Sequence, residues 1–332
     1  MNSRELVYAT LNFTGPERLP TDFWPLPSTW YGREEAVNAL VKRYPTDIAG
    51  IQVNQIFDIP FYKKGTYTDL WGCEWLLLQD GMVGEVKRAP LDDYRKLADY
   101  AWPTAQVEQG WDETLAALAA NKDKFTTGWC GDGFERMQFL RGPEQLYEDL
   151  ADEDCGEVYE LRDRVFGLIR RYAERWAKTD VDAIYFSDDW GSQRSLLISP
   201  AKWREFFKPK YKECFDIALD AGKKIFFHSD GYILDIYPDF IEMGLSAINS
   251  QVWCMGLDDV QQFAGKITFW GELDRQEMLP HGTPEQIRAA AKEMVQKLYR
   301  NGGLIGQSSV DNLSSLENIE AALSAWHEVE LQ

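Results

Sequence analysis

Residues 223–252 read KKIFFHSDGYILDIYPDFIEMGLSAINSQV. A short apolar run stops on His228, Ser229, Asp230 and a glycine, an amphipathic stretch follows, and a second apolar run, SAINSQV, ends the segment. A strand, a helical connection and another strand in that order form a βα unit, which belongs to a parallel sheet.

The same alternation extends to both sides. FTTGWC (125–130), VDAIYFSDDWG (181–191), ITFWGELD (267–274) and GLIGQSS (303–309) are apolar runs, each followed by amphipathic sequence. Helix punctuation agrees. In residues 199–222, Ser199 suits a cap, Pro200 a first turn and Gly222 a stop, with Pro209 placed to kink the helix. After Thr283, Pro284 and Gln286 suit a capping box and Gly302 a stop. Six strands from about residue 125 and two upstream, in residues 19–24 and 49–54, make eight. The sequence therefore predicts an α/β (β/α)8 TIM barrel over residues 1–332 as one domain, with an inserted hairpin near residues 58–90.

Composition narrows the partners. The chain carries 54 acidic against 35 basic residues, a formal charge of −19, and no dense Lys/Arg tract. That excludes nucleic acid and anionic membrane surfaces as expected partners. No apolar run approaches a membrane span and the amino terminus lacks a signal-peptide pattern, so a cytoplasmic protein is expected. Cys73, Cys130, Cys155, Cys214 and Cys254 form no CxxC pair and read as reduced thiols.

Barrel sites form where strands end and βα loops begin. The strand ends present Asp22 and Trp24, Asn54 and Gln55, Cys130 and Asp132, Asp188 and Asp189, His228 and Asp230, Asn249 and Gln251, Glu272 and Asp274, and Gln307 and Ser308. Several follow apolar runs, where an unpaired carboxylate is costly, so they are expected to pair with one another, a ligand or a metal. The alternative is that some of them cap the following helices. His228, one of three histidines, follows KKIFF directly with Asp230 two residues on, and is the leading candidate for chemistry. Trp24, Trp71, Trp129, Trp190 and Trp253 are candidates for aromatic walls, with ordinary packing as the alternative for each. P-loop, GxGxxG, HExxH and GxSxG motifs are absent.

FFHSDGYILDIYPDFIEMGLSAINSQ resembles the uroporphyrinogen-decarboxylase-like superfamily. So do GPERLPTDFW (15–24), DGFERMQFLRGPEQLYEDL (132–150), SDDWGSQRSLLISPAKWREFFKPKYKE (187–213), FWGELDRQEMLPHGTPEQIRAAAKEM (269–294) and LENIEAAL (316–323). The resemblance implies a TIM barrel and two competing chemistries. True decarboxylases carry an arginine-rich RQAGRY-type segment near the amino terminus, where this chain reads TDFWPLPSTWYGRE. The methyltransferase branch binds zinc through an HxC pair and a later cysteine. His228 matches that histidine, Asp230 stands at the cysteine, and Gln307, Ser308 and Ser309 occupy the later position.

The resemblance thus implies an enzyme of oxygen and nitrogen ligands, a corrinoid-protein-dependent methyltransferase or demethylase acting on a small methylated compound, for example a methoxy compound. His228, Asp230 and Asp188 are the expected catalytic residues. His228 and Asp230, with Asp188 or Glu272, are the expected ligands of zinc. Trp24, Asn54, Trp129, Asp189, Trp190, Gln251 and Ser308 are expected to bind substrate, and a partner protein to supply the corrinoid. The alternatives are a cofactor-free decarboxylase, which requires Arg18, Arg136, Arg141, Arg194 and Arg275 to converge on the mouth, and a non-catalytic barrel that binds a corrinoid partner.

Overall fold

The computed structural model describes residues 1–52 and 63–331. Its strands are β1 (Thr21–Pro25), β2 (Ile48–Ile51), β3 (Gly65–Thr68), β4 (Glu74–Leu77), β5 (Glu85–Arg88), β6 (Phe125–Asp132), β7 (Ala183–Ser187), β8 (Lys224–Ser229), β9 (Ala247–Ser250), β10 (Thr268–Glu272) and β11 (Leu304–Val310). Eight of them pair in the order β1-β11-β10-β9-β8-β7-β6-β2, every pairing parallel, with helices outside. The fold is a (β/α)8 barrel.

The ladder is open between β1 and β2, and Asp47 bridges that seam. Its amide donates to Thr21 O (2.9 Å) and its carboxylate accepts from Thr21 N (2.9 Å), while Arg18 pairs with the same carboxylate at 2.7 Å. Asp182 ties β7 to β6 in the same way, accepting from Thr126 N at 2.9 Å and pairing with Arg4 at 2.7 Å. Buried carboxylates that satisfy strand-end amides replace ladder bonds there.

Period-two alternation sorts side chains between two cores. Ile48, Phe125, Ala183, Phe226, Ala247, Trp270 and Ile305 fill the barrel interior beneath Trp24 and Tyr185. Opposite-facing residues pack against the helices. Two strand glycines admit a helix tryptophan to close range. A Cβ on Gly128 would collide with the Trp176 ring, and one on Gly306 would come within 2.6 Å of Trp326. The Trp176 indole then donates to Trp129 O (2.9 Å) and the Trp326 indole to Ser308 Oγ (3.0 Å).

The structure differs from the sequence reading in three places. The insertion is a three-stranded antiparallel meander, β3-β4-β5, rather than a hairpin, and residues 58–62 of the expected hairpin lie outside the described residues. Asp69 anchors the meander: it accepts from Trp71 N, Cys73 N and Trp75 Nε1, each at 2.9 Å, and pairs with buried Arg136. The kink expected at Pro209 is a π-helical turn, Trp203–Phe207, which widens the helix just before a proline that lacks an amide donor. The helix capped by Thr283 and Gln286 ends at Leu298, short of Gly302. No helix among the described residues is long and apolar enough to cross a membrane.

Replacing Gly128 with Ala is expected to destabilise the protein by roughly 1–3 kcal/mol, the usual cost of overpacking. A urea-unfolding midpoint unchanged from the parent would show that Trp176 does not need that space.

Candidate functional site

At the carboxyl ends of the strands lies a cavity of about 670 Å³, lined among others by Trp24, Trp129, Tyr185, His228, Trp270 and Arg275. A larger cavity, about 830 Å³, lies between the last two helices near Arg288, Lys292 and Glu328, and takes no residue from any strand. The first has the position that barrel sites occupy.

His228 closes β8 and faces inward. Its Nδ1 lies 2.5 Å from Asn249 Oδ1, and the Asn249 amide group donates to Trp270 O at 2.7 Å. That second bond commits the Asn249 nitrogen, so its oxygen faces the ring and Nδ1 donates. Nε2 is left directed at two carboxylates, 3.5 Å from Asp189 Oδ1 and 3.7 Å from Asp230 Oδ1. One donor atom from each of the three lies within 4.8 Å of the others.

Glycine sets this spacing. Gly191 and Gly231 follow Asp189 and Asp230 at an interval that brings the two loops together backbone to backbone. A Cβ on Gly231 would overlap Gly191, and Gly231 has φ +77°, which other residues rarely adopt. Gly191 N donates to Asp230 O (3.2 Å), and Asp230 N to Asp189 Oδ1 (2.8 Å). Arg275 pairs with Asp230 Oδ2, whereas Asp230 Oδ1 is buried with no hydrogen-bond partner among the described residues.

The cavity holds Asp22, Asp132, Glu135, Asp189, Asp230 and Glu272, six carboxylates, against one guanidinium. Burial raises Asp22 to about 6, although Trp24 and Trp270 indoles donate to it at 2.9 and 3.1 Å. Burial raises Glu272 to about 7, with Arg275 opposing. Burial and the neighbouring Asp189 push Glu135 well above the usual carboxylate range, and burial with the neighbouring carboxylates does the same to the Tyr185 phenol. For His228 burial works downward, but Asp230 and Asp189 outweigh it and raise the imidazole.

The structure brings together His228, Asp230, Asp189, Trp24, Trp129 and Glu272, but not all the expected site residues. Asp188 faces the opposite way from Asp189. Its carboxylate, fully buried, accepts from Gly133 N, Phe134 N and Glu135 N at 2.8–2.9 Å and from Tyr211. It caps the helix Phe134–Arg141 instead of entering the cavity. Trp190 stacks on Phe134 at 4.3 Å in the outer core, and Trp71 is buried against Arg136. Ser308 accepts the Trp326 indole. Gln251 accepts from Gly231 N and Gln193, and with Trp253 lines a small adjoining cavity. Glu272 Oε1 lies 3.5 Å from Arg275 Nε, outside the Asp189–His228–Asp230 cluster. Asn54 lies outside the described residues.

Glu135, Tyr185 and Trp270 are cavity residues that the strand-end rule did not select, whereas Asp22, a strand-end residue, and Arg275, named only for the decarboxylase alternative, do line it. Tyr185 and Trp270 were detectable by counting four and two residues back along their strands from Asp189 and Glu272. Glu135 sits in the first turn of a helix and gave no such signal. Of the five arginines required by the decarboxylase alternative, Arg275 alone lines the cavity. Arg18 pairs with Asp47, Arg141 with Asp149 and Arg136 with Asp69, and Arg194 is exposed.

A parallel barrel with a histidine and carboxylates gathered at the carboxyl ends of its strands has the layout of (β/α)8 proteins whose sites lie at that face. Within that class the chain belongs to the uroporphyrinogen decarboxylase (URO-D) family, whose model matches residues 116–329. No curated protein matches the chain. Among solved structures it is similar to a methyltransferase from Methanosarcina mazei, with TM-score 0.71 and 15% identity over 99% of both chains. It is more distantly similar to a B12-independent methionine synthase from Shewanella sp. W3-18-1, with TM-score 0.49 and 10% identity over 95% of this chain and 94% of that one.

Two outcomes test the electrostatics. Asp188→Ala leaves three backbone amides without an acceptor and is expected to cost roughly 3–5 kcal/mol in denaturant unfolding. A stable variant would return Asp188 to the list of chemical groups. Asp22 is raised to about 6 in the fold, so the ionised form opposes folding, and stability falls as pH rises from the ordinary carboxylate range through about 6. Asp22→Asn should therefore gain roughly 3 kcal/mol relative to the parent between pH 4 and pH 8. A pH-independent difference between the two melting curves would refute the assignment.

Proposed function

We propose that the chain is a methyltransferase that removes a methyl group from a small methylated compound and passes it to a corrinoid carried by a partner protein, with a divalent metal ion, zinc foremost, held by Asp189, His228 and Asp230. The observation that carries this reading is the cluster itself. Spacings of 3.5 and 3.7 Å from Nε2 to the two carboxylate oxygens approach the edge of a tetrahedron with zinc-like bonds, about 3.3–3.6 Å. Asp230 Oδ1, buried and without a hydrogen bond among the described residues, is the orphaned acceptor that such an ion would satisfy. One imidazole nitrogen with carboxylate oxygens suits zinc and also accommodates harder divalent ions.

A bound ion there supplies Lewis acidity toward the heteroatom that bears the methyl group. The protein's own groups do the rest. Asn249 fixes the imidazole so that Nε2 faces the cavity. Arg275 orients Asp230 through the ion pair to its Oδ2. Trp24, Trp129 and Trp270 narrow the cavity and exclude water. When the carbon–heteroatom bond breaks, its electron pair stays on the heteroatom, and the acceptor supplies the pair for the new bond to carbon. Glu272, raised to about 7, holds a proton near neutral pH on the side of the cavity where an anionic leaving atom needs one. The separation of the four other arginines from the cavity speaks against a decarboxylase that grips a polycarboxylated ring.

Protein purified without an affinity tag is expected to contain about one equivalent of divalent metal, measured by elemental analysis. Asp189→Asn, His228→Ala and Asp230→Asn should each lower metal affinity roughly 10–100-fold or more, whereas Glu272→Gln should retain the metal. Metal retained by Asp189→Asn and lost by Glu272→Gln would reverse the ligand assignment, and metal-free protein that cannot be loaded would remove the metal altogether.

A further inference from the structure

The cavity that contains the metal-type cluster has more carboxyl groups than the cluster needs. Among the described residues six carboxyl groups line it and Arg275 is its one lining guanidinium. Burial drives Asp22 and Glu272 toward neutrality, which leaves Asp132 and Glu135 as the acidic groups outside the cluster. Arg136, behind the wall, is shared between Asp69 (3.3 Å) and Asp132 (3.8 Å), so it offsets Asp132 in part. Residues 53–62 contain no Lys or Arg, so the sign of the cavity does not depend on their path.

Glu135 is the sharpest case. Its side chain lines the cavity and has no hydrogen-bond or ion-pair partner among the described residues; the hydrogen bond at this residue is made by its amide. Burying a carboxyl group in this state is unfavourable unless something in the cavity compensates it. Five aromatic rings, Trp24, Trp129, Phe139, Tyr185 and Trp270, stand in the same wall. Aromatic faces attract cations and offer an anion no compensation, and an ammonium ion bearing alkyl groups matches such a wall because it has few hydrogen bonds to lose on leaving water. Carboxylates beside aromatic rings, with a single guanidinium already paired to Asp230, therefore select for a positive charge.

We propose that the ligand of this cavity is a small alkylammonium cation, seated against Glu135 and the aromatic wall of β1, β6, β7 and β10. The inference deepens the methyltransferase reading by giving its substrate class, and rests on that reading only in taking the ligand to be the methyl donor. A methoxy compound without a charge, or one with a carboxylate, would leave Glu135 uncompensated or repelled.

Calorimetric titration with choline and with its uncharged isostere 3,3-dimethylbutan-1-ol separates charge from shape. Choline is expected to bind roughly tenfold or more tightly than the isostere. Glu135→Gln should remove most of that preference while leaving the binding of the neutral compound and the metal content unchanged. Asp132→Asn serves as the second variant, with a smaller loss of preference expected because Arg136 already offsets that carboxylate. Equal binding of the two compounds, tighter binding of methoxyacetate than of choline, or a choline preference that survives Glu135→Gln would overturn the inference. Metal content in the same samples reports on the metal centre separately, so protein that holds metal but shows no cation preference refutes the substrate class alone. Metal-free protein that still prefers choline refutes the metal centre alone.

Discussion

Gly191 and Gly231 touch backbone to backbone where the loops after β7 and β8 leave the barrel, and much of the site depends on that contact. Without side chains between them, the loops run close enough for Gly191 N to reach Asp230 O and for Asp230 N to reach Asp189 Oδ1. Asp189 and Asp230, held by adjacent strands, then converge on one imidazole nitrogen. Any Cβ at either glycine would push the loops apart and separate the carboxylates, whatever became of His228.

The remaining electrostatics follow from placing that cluster in a cavity lined by aromatic rings. Low dielectric strengthens each carboxylate's effect on the next. Tyr185 accordingly stays a phenol among carboxylates, and Glu272 and Asp22 are driven toward neutrality. Gln307, fully buried between its register neighbours Asp22 and Glu272, has neither amide atom hydrogen-bonded among the described residues, so the interior layer of the barrel is polar beyond its carboxylates.

The barrel was legible because apolar runs, caps and glycine stops agreed along most of the chain, and the rule that sites form at strand ends pointed to Asp22, Trp24, Asp189, His228, Asp230 and Glu272, all of which line the cavity. That rule names an end of a strand but not a face, and the misplaced residues share this cause. Asp188, Trp190 and Ser308 each sit one position off the inward register carried by Tyr185, Asp189 and Ile305, so they turn to the helices and become a cap, a core ring and an indole acceptor. The choice between Asp189 and Glu272 as third member of the cluster depended on where Arg275 lies, and sequence spacing carries no such information. The meander was read as a hairpin because Glu85–Arg88, β5, is short and mostly exposed, with little apolar alternation to announce a strand.

The open ladder between β1 and β2 also bears on how the chain is made. β1 takes its hydrogen-bonded partner from β11, at the far end of the sequence, and among the described residues it meets the approach to β2 through hydrogen bonds at Pro45 and Asp47. On the ribosome the first barrel strand must wait for the last to emerge, while β6 to β9 can pair with neighbours already synthesised. Closure of the barrel, and with it the assembly of Asp22, Trp24 and Gln307 around the cavity floor, is therefore a late event of biosynthesis.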